Sequence, residues 1–145
     1  RIYDEVLRPH GLFTQGVSLA NGRRMLQCLG EGRLLIEERC SGDRAALEEQ
    51  LRADLARAFR DGAATEEGEA SVCILANYRR WLGGGHGGHW SPIGAWLEAE
   101  GLVLILETNA EKCPPHWVLL SDLVEALCAW NKITQRPRGY LVVQR

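Results

Sequence analysis

The sequence predicts an α+β domain in which helices come mostly first and antiparallel strands follow. Three observations carry that expectation. Leu47, Leu51, Leu55 and Phe59 recur every four residues with charges between them, as in a helix that buries one face. Residues 72–75, 102–106 and 139–143 form apolar runs of strand length rather than helix length. No helical pattern alternates regularly with these runs, so a parallel βαβ sheet is not expected.

In chain order, residues 2–7 read as a short helical or extended entry, stopped by Pro9 and Gly11. Thr14 is the expected N-cap of a helix through Val17, Leu19, Met25, Leu26 and Leu29, which Gly30 and Gly32 close. Gly22 weakens its middle. Residues 34–36 read as a strand, and Ser41-Gly42-Asp43 starts the clearest helix, expected to run to Gly62. Residues 63–70 are polar, acidic and small, and read as a surface loop. Residues 71–78 are apolar on both faces, as in a buried strand, and lead through Arg79 and Arg80 into a glycine loop. Residues 90–97 and 102–106 read as a hairpin around Glu98-Ala99-Glu100-Gly101. After Pro114 and Pro115, Ser121 and Asp122 open a helix carrying Leu123, Ala126, Leu127 and Trp130, and residues 139–143 supply a closing strand. There is no internal repeat.

A length of 145 residues fits one domain, taken as 1–145. The net charge of -2 gives no electrostatic footprint for nucleic acid. The apolar runs are too short to span a bilayer, and no basic segment precedes an apolar one at the N-terminus, so no membrane partner is expected. The five cysteines are odd in number and scattered, with no Cys-x-x-Cys pair, which points to a reducing, cytoplasmic setting. The chain starts at Arg1 and its only methionine is Met25, so it is expected to be part of a longer polypeptide.

The chemistry concentrates in Gly87-Gly88-His89-Trp90-Ser91-Pro92, where a histidine stands at the mouth of an apolar run behind residues with little bulk. Eighteen positions on, a second apolar run ends in Glu107-Thr108-Asn109. A histidine base must be held in one tautomer by a second group, and a carboxylate on a neighbouring strand can do that. Competing readings are thinner. His86 and His89 give two metal donors without a third nearby, and the glycines are not followed by the Lys-Ser or Lys-Thr of a phosphate loop. His10 and His116 read as surface or rim residues, and Trp90, Trp96 and Trp117 as core or cleft wall.

Four features resemble the phytochelatin synthase family, papain-like cysteine transferases that join γ-glutamylcysteine units of glutathione. They are Asn77-Tyr78-x-Arg80, Gly88-His89-x-Ser91-Pro92, the strand ending at Glu107, and Lys112-x-Pro114-Pro115-x-Trp117-Val118. Weaker similarity runs from Glu5-Val6 and Gly11 to Arg138-Gly139-Tyr140. The resemblance implies a papain-like α+β fold, incomplete here, with His89 as the base that deprotonates the nucleophile and protonates departing glycine. Glu107 stands where the family has the aspartate that orients the imidazole. Ala110 and Cys113 stand where the family usually has arginine and tyrosine. The implied partners are glutathione and its heavy-metal thiolates, with cadmium or zinc entering on the substrate, and no tightly bound cofactor.

The resemblance places the nucleophilic cysteine upstream, in a Tyr-Cys-Gly-like context that these residues lack, so the missing N-terminal part of the domain is expected to supply it. The chain alone is then expected to be inactive. Cys40, just before a helix start, is the best local alternative. Cys28 lies at the wrong helix end, Cys73 reads as a buried strand residue, Cys128 as core-facing and Cys113 as exposed. The other function class is a non-catalytic remnant or binding domain that keeps the fold.

Geometry separates the two. His89 and Glu107 are 18 residues apart, so an even-residue hairpin loop centred between Ala99 and Glu100 would put them on opposite faces of the sheet. The catalytic reading requires an odd loop or a β-bulge between Trp90 and Leu106, with Pro92 the expected place, and the Glu107 carboxylate or the Asn109 amide at a ring nitrogen of His89.

Overall fold

The computed structural model describes residues 16–61, 72–80, 87–109 and 113–145, together with 4, 7–9 and 111. Thr14, residues 63–70, His10, His86, Ala110 and Lys112 lie outside the described residues. In order, the described elements are α1 (Leu19–Leu29), β1 (Leu35–Arg39), α2 (Arg44–Ala56) with a π-helical turn (Arg57–Asp61), β2 (Val72–Arg79), β3 (Gly88–Leu97), β4 (Leu102–Ile105), β5 (His116–Leu119), α3 (Leu120–Cys128), β6 (Trp130–Asn131), β7 (Arg136–Pro137) and β8 (Gly139–Gln144).

Six strands form one sheet in the order β1-β8-β2-β3-β4-β5. Every neighbouring pair is antiparallel. The last strand in sequence therefore lies between the first two, which covers both of its edges. Helices pack on both faces. Leu47, Leu51 and Leu55 of α2 and Leu123, Val124 and Leu127 of α3 bury against Ile74, Ala76, Tyr78, Ile93, Ile105, Tyr140 and Val142. Each fully buried leucine contributes roughly 2 kcal/mol of apolar burial. On the other face, Leu19 and Leu26 of α1 meet Ile36, Leu75, Trp90 and Leu141. The alternation of side chains along β2 and β3 thus serves two cores, which is why these strands read as apolar on both faces.

Several expectations shift in detail. The cap of α1 is Ser18, whose Oγ accepts from the amide of Asn21. The α-helical part of α2 starts after the predicted cap Asp43, whose carboxylate accepts from Ala45 and Ala46, but ends at Ala56 and continues to Asp61 as the π-helical turn. Trp130 is not helical. Ala129 leaves the helix with ψ 132 and its carbonyl accepts from Arg138, so Trp130 begins the small β6–β7 ribbon and stays exposed. Pro114 and Pro115 read as a break, yet they only precede β5, which starts at the next residue. Cys73 is exposed rather than buried, because it sits next to the end of β2 on the alternate positions.

Candidate active site

The β2–β3 ladder sets the first half of the site by pairing Tyr78 with His89 and Ala76 with Ser91. The second half depends on the β3–β4 hairpin. Leu97 pairs with Leu102, leaving the even, four-residue loop 98–101. That loop alone would put Glu107 on the wrong face. The register shifts between Ile93 and Ala95, however, so that Ile93 pairs with Ile105 while Ala95 pairs with Leu104. The extra residue is Gly94, not Pro92; a Cβ there would meet the Leu106 side chain at 2.7 Å, so glycine lets the bulge close against its neighbour. Continuing the ladder two residues past Ile93 and Ile105 places Ser91 opposite Glu107, and His89 and Glu107 then share a face.

The side chains meet. His89 Nε2 contacts Glu107 Oε1, with the two side chains 14% and 3% exposed. The backbone amide of Asn109 also donates to Oε1 at 2.9 Å, so Asn109 contributes its peptide group rather than its side chain. Burial pushes the Glu107 carboxyl up, but the Asn109 amide, the His89 ring and the charge of Arg80 offset this and hold it below the ordinary carboxylate range. An ionised carboxylate only accepts, so Nε2 carries the proton of the neutral imidazole and Nδ1 keeps its lone pair. Nδ1 has no hydrogen-bond partner among the described residues. Thr108 Oγ1 lies 3.3 Å from Nε2 and donates to the Trp90 carbonyl at 3.0 Å, pinning β4 to β3 beyond the last ladder pair.

Tyr78 completes the cluster. Its ring meets the imidazole edge-on, with centroids 5.7 Å apart and planes at 82°. Its hydroxyl lies 3.1 Å from Ser91 Oγ and donates to Glu107 Oε2 at 3.5 Å. Burial, countered in part by the Ser91 hydrogen bond, raises its pKa and keeps it protonated. Sequence reasoning quoted Tyr78 and Ser91 within motifs but gave them no task. The signal available was register: Tyr78 is one strand over from His89, which becomes legible only once the pairing is known.

The cysteines stand apart from this cluster. Cys40 continues the row of Gly139, Asn77 and Trp90, three strand spacings or about 14 Å from β3. Its Sγ accepts from Arg136 at 2.8 Å. Cys113 is closer to the site: its amide donates to the Asn109 carbonyl, and its Sγ lies 3.4 Å from Nδ1 of His116. Its exposure is intermediate. Among the described residues no group of three or more His, Cys, Asp or Glu could hold a metal ion.

At the same end of β2 and β3, but on the face that carries Trp90, a cavity of about 370 Å³ is lined by Asn77, Gly88, Trp90, Asn131 and Arg138 among others. Arg138 Nη1 donates to Asn77 Oδ1 at 3.5 Å, while its buried Nε has no partner among the described residues. Burial and the charge of Arg79 lower its pKa. A Cβ at Gly88 would meet this guanidinium at 2.0 Å, so a side chain there would push the guanidinium from its present place. The cavity is therefore lined by a guanidinium beside the strand that carries His89.

An imidazole oriented by a buried carboxylate, with its other nitrogen open, is the arrangement that nucleophilic catalysis uses to activate a thiol or hydroxyl. The phytochelatin synthase family model matches residues 2–140, and the chain belongs to this family. It is 36% identical over 72 residues to glutathione gamma-glutamylcysteinyltransferase 3 of Lotus japonicus, covering 50% of this chain and 15% of that protein. It is 32% identical over 76 residues to glutathione gamma-glutamylcysteinyltransferase of Schizosaccharomyces pombe, covering 52% of this chain and 18% of that protein. With glutathione gamma-glutamylcysteinyltransferase 2 of Arabidopsis thaliana it shares 40% identity over 58 residues, covering 40% and 13% respectively. These matches span less than a fifth of each relative's length. No helix among the described residues is long and apolar enough to cross a membrane.

Proposed function

We propose that this chain carries the histidine–carboxylate half of a papain-like site that transfers γ-glutamylcysteine from glutathione, or hydrolyses its Cys-Gly bond. The nucleophilic cysteine comes from outside the chain. The observation that carries the reading is the His89–Glu107 pair, brought to one face by the Gly94 bulge, with Nδ1 left open. In the first step Nδ1 takes the thiol proton as sulfur attacks the Cys-Gly carbonyl. The imidazolium, stabilised by Glu107, then protonates the departing glycine amine, leaving a γ-glutamylcysteinyl thioester. An incoming thiol-peptide amine or a water, deprotonated by the same nitrogen, opens that thioester. The positive charge of Arg138 at the cavity suits a carboxylate of the substrate, and heavy-metal ions such as cadmium or zinc enter as thiolate complexes of glutathione.

Departure from the family's aspartate does not remove the orienting partner here, since the longer Glu107 side chain reaches Nε2, and this favours the enzyme over a remnant that keeps only the fold. The test is glycine release from glutathione by the longer protein that carries the cysteine. His89→Ala is expected to lower turnover by about a thousandfold or more, with the thermal midpoint unchanged. Turnover within tenfold of the parent would move the base elsewhere. The 145-residue chain alone is expected to release no glycine; release that Cys40→Ala abolished would make Cys40 the nucleophile despite its distance.

A further inference from the structure

Glu107 has two oxygens to satisfy in a buried place, and the structure treats them differently. Oε1 receives both the His89 ring and the Asn109 amide. Oε2 has one donor among the described residues, the hydroxyl of Tyr78 at 3.5 Å. That hydroxyl is itself braced by Ser91 Oγ at 3.1 Å, and Tyr78 and Ser91 are each 1% exposed. Both side chains are thus shielded from solvent.

The consequence is rotational. A carboxylate held only at Oε1 turns about its terminal bond, and the direction in which Oε1 faces the imidazole turns with it. A donor on Oε2 removes that freedom. The same tyrosine presents its ring edge-on to the imidazole at 5.7 Å, so one side chain limits both partners of the His89–Glu107 pair. Ser91, opposite Glu107 and two residues from His89, supplies the fixed point: its hydroxyl donates to the Tyr78 oxygen, which leaves the phenolic proton for Glu107.

We infer that Tyr78, braced by Ser91, is a positioning residue that fixes the Glu107 carboxylate and through it the His89 ring. The inference rests on the reading of His89 as the base, but its first test does not require turnover. In the 145-residue chain, the proton on Nε2 of His89 is followed by NMR and assigned by its loss in His89→Ala. It should resonate far downfield and exchange slowly with solvent. Tyr78→Phe keeps the ring and removes the hydroxyl; the resonance is expected to move upfield and its exchange to quicken about tenfold, with Ser91→Ala giving a smaller change of the same sign. A folded Tyr78→Phe chain whose proton keeps its position and exchange rate overturns the inference. Should Tyr78→Phe not give a folded spectrum, Ser91→Ala decides, and an unchanged proton there overturns it equally.

In the longer protein that carries the cysteine, Tyr78→Phe is expected to lower kcat about ten- to a hundredfold while KM stays within about twofold, as for a misplaced rather than a missing group. A loosened proton with unchanged kcat would sustain the positioning and sink the base role of His89. A tight proton with lowered kcat would overturn the positioning and leave the base role standing.

Discussion

Two buried carboxylates sit under this sheet, each beside a tyrosine of a central strand, and their partners differ in kind. Asp54, on α2, accepts from Tyr140 at 3.0 Å, from Arg39 Nε at 3.2 Å and from Arg57 Nη1 at 3.0 Å. Glu37 bridges the same two arginines, at 2.5 Å to Arg39 and 3.2 Å to Arg57. Glu107 accepts from Tyr78, from a backbone amide and from one imidazole. Guanidinium groups stay charged at all physiological pH values, so the Asp54 cluster is a fixed lattice tying α2 to β1 and β8. An imidazole can take up and release a proton, and Nδ1 of this one has no partner among the described residues. A carboxylate saturated by permanent cations holds structure; one that holds a titratable ring can pass a proton across it.

Breaking each centre should therefore produce opposite phenotypes. The largest stability effect is expected at Asp54. Asp54→Ala leaves Arg39, Arg57 and the Tyr140 hydroxyl short of an acceptor and should cost about 3–5 kcal/mol, read as a lower urea midpoint at unchanged slope. A loss below about 1 kcal/mol would place the Asp54 cluster with ordinary surface pairs. Thr108→Val removes the hydroxyl that donates to the Trp90 carbonyl and should cost about 1 kcal/mol, measured the same way, with the bulge and the His89–Glu107 contact intact.

The smallest effect sharpens the contrast through acid. The Glu107 pKa is lowered in the fold, so its contribution is complete above the ordinary carboxylate value and is lost as pH falls through the lower folded value. Glu37, also lowered, chiefly by the Arg39 hydrogen bond working against burial, follows the same sign. Stability against pH for the parent and for Glu107→Gln should differ in slope in that acid window. Divergence confined to neutral or alkaline pH would contradict the assignment of an ionised Glu107.

Much of this was legible in the residues. The four-residue recurrence of Leu47, Leu51 and Leu55 predicts α2, and the need for an odd loop or a bulge between Trp90 and Leu106 follows from counting eighteen positions between His89 and Glu107. Its location did not follow. Pro92 lacks a donor and is the expected break, but its carbonyl still accepts from Leu106 at 2.9 Å, and the chain bulges at Gly94, where a missing Cβ makes room for Leu106. Helical spacing continues past Cys128 as far as Trp130, whereas the helix ends when Ala129 turns extended and its carbonyl pairs with Arg138. The tasks of Tyr78, Ser91 and Arg138 depend on which strands are neighbours, and β8 inserting between β1 and β2 is a long-range choice that no local pattern announces.

If the longer acid at position 107 orients the imidazole, removing that side chain alone should disable turnover. Glycine release from glutathione is measured for the cysteine-bearing protein and its Glu107→Ala variant at matched folding. The account expects kcat to fall about a hundredfold with KM within about twofold, because the imidazole stays but loses its orientation and the stabilisation of its charged form. Turnover within about twofold of the parent would contradict it, showing that His89 either works unaided or does not work as the base at all.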